Sequence, residues 1–256
     1  MRMRYTERLS KRIETTGSRL CVGLDPRPGV GGVDEASGFL RRVIEETAEH
    51  AAAFKPNAAY FEAMGSRGVA LLERMLEWIP SEVPIILDAK RSDIGETQRY
   101  YALASFGSGL VDAVTLNPFL GYDTLEPFLD WEGRGLYLLA VTSNPGSADF
   151  QRRRLDDGRE VFEVVAALGE RARGEGRNAD VGYVVGLTNA AEVLAKIPDA
   201  PLLIPGLGAQ GGALDALKAG GARSAPSVVN VSRGILYADD ERSFAERAEA
   251  WKHRIG

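Results

Sequence analysis

Short apolar runs alternate with longer amphipathic segments along the whole chain. Eight runs, at residues 19–24, 53–58, 83–89, 113–117, 136–142, 181–187, 201–205 and 227–231, are apolar on both alternations of a two-residue period. Strands buried on both faces require that pattern. A helical segment at 5–15 precedes the first run, and the acid-rich segment 239–254 reads as the last helix. Strands separated by helices specify a parallel sheet. Eight such units predict one α/β domain over residues 1–256, a (β/α)8 (TIM) barrel with an N-terminal helix. The longest connection, 144–159, opens with Asn144-Pro145-Gly146-Ser147. A loop of that length is usually functional, and this one is expected to close over a ligand.

In such a barrel the site lies at the C-terminal strand ends, and a ring of polar residues falls there. Asp25 ends the first strand, Lys55 and Asn57 the second, Asn117 the fourth, Ser143 and Pro145 the fifth, and Asn230 to Arg233 the eighth. The third carries the most unusual stretch, Ile85-Ile86-Leu87-Asp88-Ala89-Lys90-Arg91-Ser92-Asp93-Ile94-Gly95-Glu96-Thr97. Asp88 and Lys90, two residues apart on a strand, leave the same face. Charges there do little for stability and suit chemistry, although structural ion pairs follow the same pattern. Asp93 stands where strand turns to helix, so it is also a candidate helix cap.

Strand 7 ends in the glycine-rich 206–212, which contains Gln210, and Arg233 ends strand 8. Backbone N–H groups in such a loop approach an anion closely, and arginine offers phosphate a planar fork. The pair reads as a phosphate cup, implying a phosphate-ester substrate; the bland alternative is glycines that only cap elements, as assigned to Gly220 and Gly221.

Charge narrows the choice of partners. The net charge is −5 and no basic block is longer than Arg152-Arg153-Arg154, which argues against a nucleic-acid surface. The one cysteine, Cys21, excludes an internal disulfide and fits a reducing compartment. His50 and His253 are too few and too distant for a histidine-rich metal site. Residues 1–16 lack a signal-peptide core, and no apolar run approaches membrane-spanning length. A cytoplasmic, soluble protein is expected, with no metal, no cofactor and no membrane partner.

Leu24-Asp25-Pro26, Phe54-Lys55-Pro56-Asn57, the 87–97 segment, Leu116-Asn117-Pro118, Thr142 to Gly146, the 205–212 loop and Val231-Ser232-Arg233-Gly234 occur in this order along the chain. In that ordered set the sequence resembles orotidine 5′-phosphate decarboxylase, in particular its longer bacterial branch (type 2). The resemblance implies decarboxylation of orotidine 5′-monophosphate to uridine 5′-monophosphate, the last step of de novo UMP synthesis, without metal. It also implies a catalytic tetrad of Lys55, Asp88, Lys90 and Asp93 in a homodimer, with Asp93 and Thr97 contributed across the interface. Asp25 would bind ribose hydroxyls, Ser143 the pyrimidine, and Gln210 and Arg233 the 5′-phosphate. Pro145 belongs to the closing loop, Ile94 forms an apolar wall near the base, and Asn117 is a substrate contact of the longer branch. Asn144 departs from relatives that carry histidine there.

Decarboxylation at C6 leaves a carbanion that the ring does not delocalise as an enolate, so a fixed positive charge is needed there, and Lys90 is placed to supply it and then a proton. Three other readings compete. A Mg²⁺-dependent β-keto sugar-phosphate decarboxylase would usually carry further acidic ligands, where this chain has Leu87 before Asp88. A Schiff-base aldolase would need a neutral lysine, and flanking aspartates favour the charged form. A non-catalytic nucleotide-binding barrel would be expected to have lost part of the tetrad.

Overall fold

The computed structural model describes residues 3–27, 32–186, 190–205 and 223–255. The strands are β1 (Leu20–Leu24), β2 (Ala53–Pro56), β3 (Ile86–Arg91), β4 (Ala113–Leu116), β5 (Gly135–Val141), β6 (Asp180–Val185), β7 (Leu202–Pro205) and β8 (Ser227–Val231). They form one parallel sheet in the order β2-β1-β8-β7-β6-β5-β4-β3. Parallel bridges Phe54–Ile85 and Asn57–Asp88 join its two edge strands, bringing the sheet round into a barrel. The helices are α1 (Tyr5–Thr16), α2 (Gly32–Thr47), α3 (Ala58–Glu62), α4 (Gly65–Leu76), α5 (Gly95–Phe106), α6 (Glu126–Leu129), α7 (Val161–Gly174), α8 (Ala190–Leu194), α9 (Arg233–Leu236) and α10 (Phe244–Ile255). No helix among the described residues is long and apolar enough to cross a membrane.

The eight expected strands are therefore present, most with ends shifted by one or two residues, and the larger shifts fall at the third strand and the final helix. The third begins later than residue 83, because Val83 closes a turn onto the Pro80 carbonyl, and it runs on to Arg91. The final helix starts at Phe244 rather than 239. Before it, Asp240 is bound by Arg242 and Arg247, and Ser243 and Glu246 exchange capping hydrogen bonds.

Inside the barrel, Cys21, Ala53, Ile86, Ala113, Tyr137, Leu203 and Val228 pack with Tyr5 and Leu9 of α1. The N-terminal helix thus plugs the bottom. Tyr5 and Tyr137 share a hydroxyl hydrogen bond of 2.9 Å, and Gly135 is required beside them, since a Cβ there would lie 2.3 Å from the Tyr5 ring. Strand side chains alternate, so Lys55, Asp88 and Thr115, each two residues beyond Ala53, Ile86 and Ala113, enter the barrel one layer nearer its C-terminal mouth. An apolar floor carries a polar layer.

Candidate active site

Asp88 is the hub of that layer. Its Oδ2 accepts from Lys55 Nζ at 3.0 Å and Asn57 Nδ2 at 3.4 Å; its Oδ1 accepts from Lys90 Nζ at 2.6 Å and the Thr115 hydroxyl at 2.9 Å. Burial alone would raise the Asp88 pKa, but the Lys55 and Lys90 ammonium groups outweigh it and hold the carboxyl well below the usual range. For Lys55, 4% exposed, burial pulls the pKa down, whereas Asp88, Asp25 and Cys21 push it up by more. The site thus holds charged lysine against carboxylate rather than the neutral amine that Schiff-base chemistry needs.

Lys90 reaches Asp88 by an irregular backbone. The β3–β4 register runs from Leu87–Val114 to Arg91–Leu116 with a shift between them, and Lys90 has φ +48°, the one positive value among described non-glycine residues. Backbone of that kind costs about 1–3 kcal/mol and clusters at functional sites. The Lys90 side chain is 47% exposed, open towards the mouth.

Asp25, 9% exposed, has a buried Oδ1 without a hydrogen-bond partner among the described residues. Gly23 makes room for it, because a Cβ there would lie 2.7 Å from Ser232 Cβ and 3.2 Å from Asp25 Oδ2. The segment is anchored by Tyr237, whose hydroxyl donates to the Asp25 carbonyl and accepts from the Arg27 amide.

The other expected residues do not join this cluster within the chain. Asp93 Oδ1 accepts from the Ile94 amide at 2.8 Å, so Asp93 is not the helix cap; Ile94 is, without a side-chain hydrogen bond. Ile94 is 62% exposed and Thr97 is exposed on α5. Asn117 is exposed and uses its Oδ1 to accept from Phe119 N at 3.1 Å. Ser143 and Pro145 are exposed after β5, and Arg233 is exposed as the first residue of α9. Gln210 and the 206–212 loop lie outside the described residues. The 144–159 connection contains a 3₁₀ turn at Pro145–Asp149 and an Arg154–Glu160 bridge. Phe150 meets Phe119 with ring centroids 5.3 Å apart, beside a cavity of about 390 Å³ that Asn117, Ala140 and Gln151 help to line. A larger cavity, about 650 Å³, lies outside the barrel between α4 and α5 and contains none of the tetrad.

Sequence reasoning gave Asn57 no role and passed over Thr115 and Tyr237. For Thr115 the available signal was a hydroxyl inside the apolar run Ala113-Val114-Thr115-Leu116. Among the described residues no three His, Cys, Asp or Glu side chains gather as a metal site.

A parallel eight-stranded barrel with a lysine-bracketed carboxylate at its C-terminal mouth defines a (β/α)8-barrel protein of the enzyme type. The model of the orotidine 5′-phosphate decarboxylase / HUMPS family matches residues 18–248, and the chain belongs to that family. Curated orotidine 5′-phosphate decarboxylases are similar over nearly their full length. That of a Roseiflexus species is 44% identical over 265 residues, covering 99% of this chain and 96% of the relative. That of Herpetosiphon aurantiacus is 42% identical over 244 residues, covering 90% and 88%. Among solved structures, Leishmania donovani OMP decarboxylase superposes with a TM-score of 0.86 at 37% identity, covering 99% of this chain and 97% of that one. Leishmania donovani UMP synthase gives 0.88 at 38% identity, with this chain matching 56% of the longer protein.

Proposed function

We propose that this protein decarboxylates orotidine 5′-monophosphate to uridine 5′-monophosphate, the last step of de novo UMP synthesis, as a single barrel domain working in a cytoplasmic homodimer. The observation that carries the reading is one carboxylate, Asp88, held between Lys55 and Lys90 at the barrel mouth, in a chain whose relatives bear the decarboxylase name.

In the proposed reaction the C6–carboxylate bond breaks, its electron pair stays on C6, and CO2 leaves. The Lys90 ammonium opposes the charge that develops on C6, then transfers a proton from Nζ to form the C6–H bond; solvent reprotonates the amine. Asp88 and Lys55 hold that ammonium in place before the substrate arrives. Both Asp88 oxygens are already engaged by ammonium groups, which favours a reaction without a metal ion. The unpartnered Asp25 Oδ1 suits a ribose hydroxyl. Arg233, with Gln210, takes the 5′-phosphate, far from C6, where binding energy drives closure of the 144–159 loop. In this reading Ser143 binds the base, Asn117 contacts the substrate, and Pro145 moves with the loop. Asp93 and Thr97 of the partner subunit complete the tetrad and the ribose site, and Ile94 supplies the apolar wall. Among the described residues the Asp93 carboxylate accepts a hydrogen bond from the Ile94 amide alone, which suits it to that use.

Chromatography of orotidine 5′-monophosphate incubated with the purified protein tests the reading. UMP and CO2 in equal amounts are expected. Unchanged substrate with folded protein would overturn it and favour Mg²⁺-dependent β-keto sugar phosphates.

A further inference from the structure

We propose that Thr115 is a positioning residue for the reaction, its hydroxyl locking the Asp88 carboxylate and the left-handed backbone of Lys90 into one hydrogen-bonded ring. The kinetic side of this inference rests on the decarboxylase reading; the structural side does not.

Between the paired residues Leu87–Val114 and Arg91–Leu116, β3 spends four steps where β4 spends two. The ladder resumes only beyond this bulge, where Asn117 N donates to the Arg91 carbonyl at 3.0 Å. Bulges leave backbone groups unpaired by the ladder. The Lys90 N–H donates instead to Thr115 Oγ1 at 2.9 Å. A hydroxyl has one proton and two lone pairs. Having accepted from Lys90, Thr115 gives its own proton to Asp88 Oδ1 at 2.9 Å, and that oxygen also takes Lys90 Nζ at 2.6 Å. Backbone and side chain of Lys90 are thereby tied to each other through Thr115 and Asp88.

Thr115 is 1% exposed on an inward-facing position of an otherwise apolar strand. Apolar packing alone would be met there by valine, which has nearly the same shape. The hydroxyl has a use because it serves both neighbours: it gives the Lys90 amide an acceptor at a backbone φ of +48° and gives Asp88 Oδ1 a donor that carries no charge. Without it, the Lys90 amide loses its partner, the residue is released towards an ordinary φ, and its ammonium swings off the carboxylate. Thr115 acts on the reacting atoms only through those two residues.

The test compares Thr115→Val and Thr115→Ser with wild type in steady-state kinetics on orotidine 5′-monophosphate, with a crystal structure of Thr115→Val. Displacement of a reacting group by about 1 Å costs on the order of a hundredfold. Thr115→Val is expected to lower kcat by about ten- to a hundredfold with KM within about threefold, and Thr115→Ser, which keeps the hydroxyl, to restore kcat to within about threefold of wild type. In the crystal, Lys90 should leave the left-handed region or part from Asp88. Thr115→Ala is the second hydroxyl-free variant, with the same expectations, if the valine chain does not fold. Wild-type kcat in a hydroxyl-free variant, a serine variant as impaired as valine, or an unmoved Lys90 would each overturn the proposal. Failure of the wild-type protein to turn over the substrate sinks the decarboxylase reading alone, and the Lys90 geometry in the variant crystal still decides the role of Thr115.

Discussion

Lys55 Nζ lies 3.0 Å from Asp88 Oδ2, with the two side chains only 4% and 11% exposed. Removing one partner of a buried pair strands the other charge, at a cost of about 3–5 kcal/mol. Asp88→Asn is therefore expected to lower the stability to denaturant by about 3 kcal/mol, and Lys55→Met to cost less in that background than in wild type. The pH dependence has a definite sign. The Asp88 carboxyl is held below its usual range, so its contribution is complete above the unfolded pKa near 4 and is lost as pH falls towards the folded value. The stability gap between wild type and Asp88→Asn should narrow between about pH 4 and pH 3, as followed by urea midpoints. A constant gap would remove Asp88 as the hub.

Cys21 lies on the apolar floor beneath Lys55, and burial pushes its thiol up to about 12, with Lys55 opposing and Asp25 and Asp88 adding to the rise. A raised folded pKa leaves the native state holding a proton that the unfolded chain releases, so stability falls as pH rises above about 9. Wild type should lose on the order of 1 kcal/mol per pH unit more than Cys21→Ala between about pH 9 and pH 11. A disulfide reagent at pH 8 should label the thiol only as fast as the protein opens. Rapid labelling of folded protein would contradict the closed floor.

Arg233 opens α9 directly after β8 and is exposed at the mouth. Loss of a charged hydrogen-bonded contact to phosphate is worth about 1.5–3 kcal/mol. Arg233→Ala should therefore lower kcat/KM by roughly ten- to a hundredfold. Unchanged kinetics would remove the phosphate assignment.

The proposed dimer has a complementation test. Lys90→Ala and Asp93→Asn chains, each inactive alone, should regain activity when unfolded and refolded together, because a mixed dimer contains one site with both native residues. Recovery near a quarter of the wild-type rate is the simple statistical expectation. No recovery, with mixed dimers demonstrated by mass, places Asp93 outside the partner's site.

The strands were legible because parallel strands buried on both faces leave an unmistakable apolar run, and the polar strand ends stood out against those runs. The local backbone was not legible. Asp88 and Lys90 were expected to meet as same-face neighbours of a regular strand, yet they meet across a bulge with Lys90 left-handed. That geometry depends on the register of β4, which no single-strand pattern contains. The hydroxyl of Thr115 was a weak signal for the same reason: in Ala113-Val114-Thr115-Leu116 a threonine reads as a β-branched filler until the amide it accepts from is known. Tyr237 anchors the backbone of Asp25 from 212 positions away, a contact that only the closed barrel creates.

The central claim is that Lys90, charged and held by Asp88, decarboxylates the substrate unaided by metal. It is tested most directly by following the ultraviolet absorbance of orotidine 5′-monophosphate in excess EDTA with wild-type protein and with Lys90→Ala. The account predicts loss of the orotate absorbance in EDTA with wild type and none above background with the variant. Absorbance that persists with folded wild-type protein, or falls equally fast without Lys90, would contradict it.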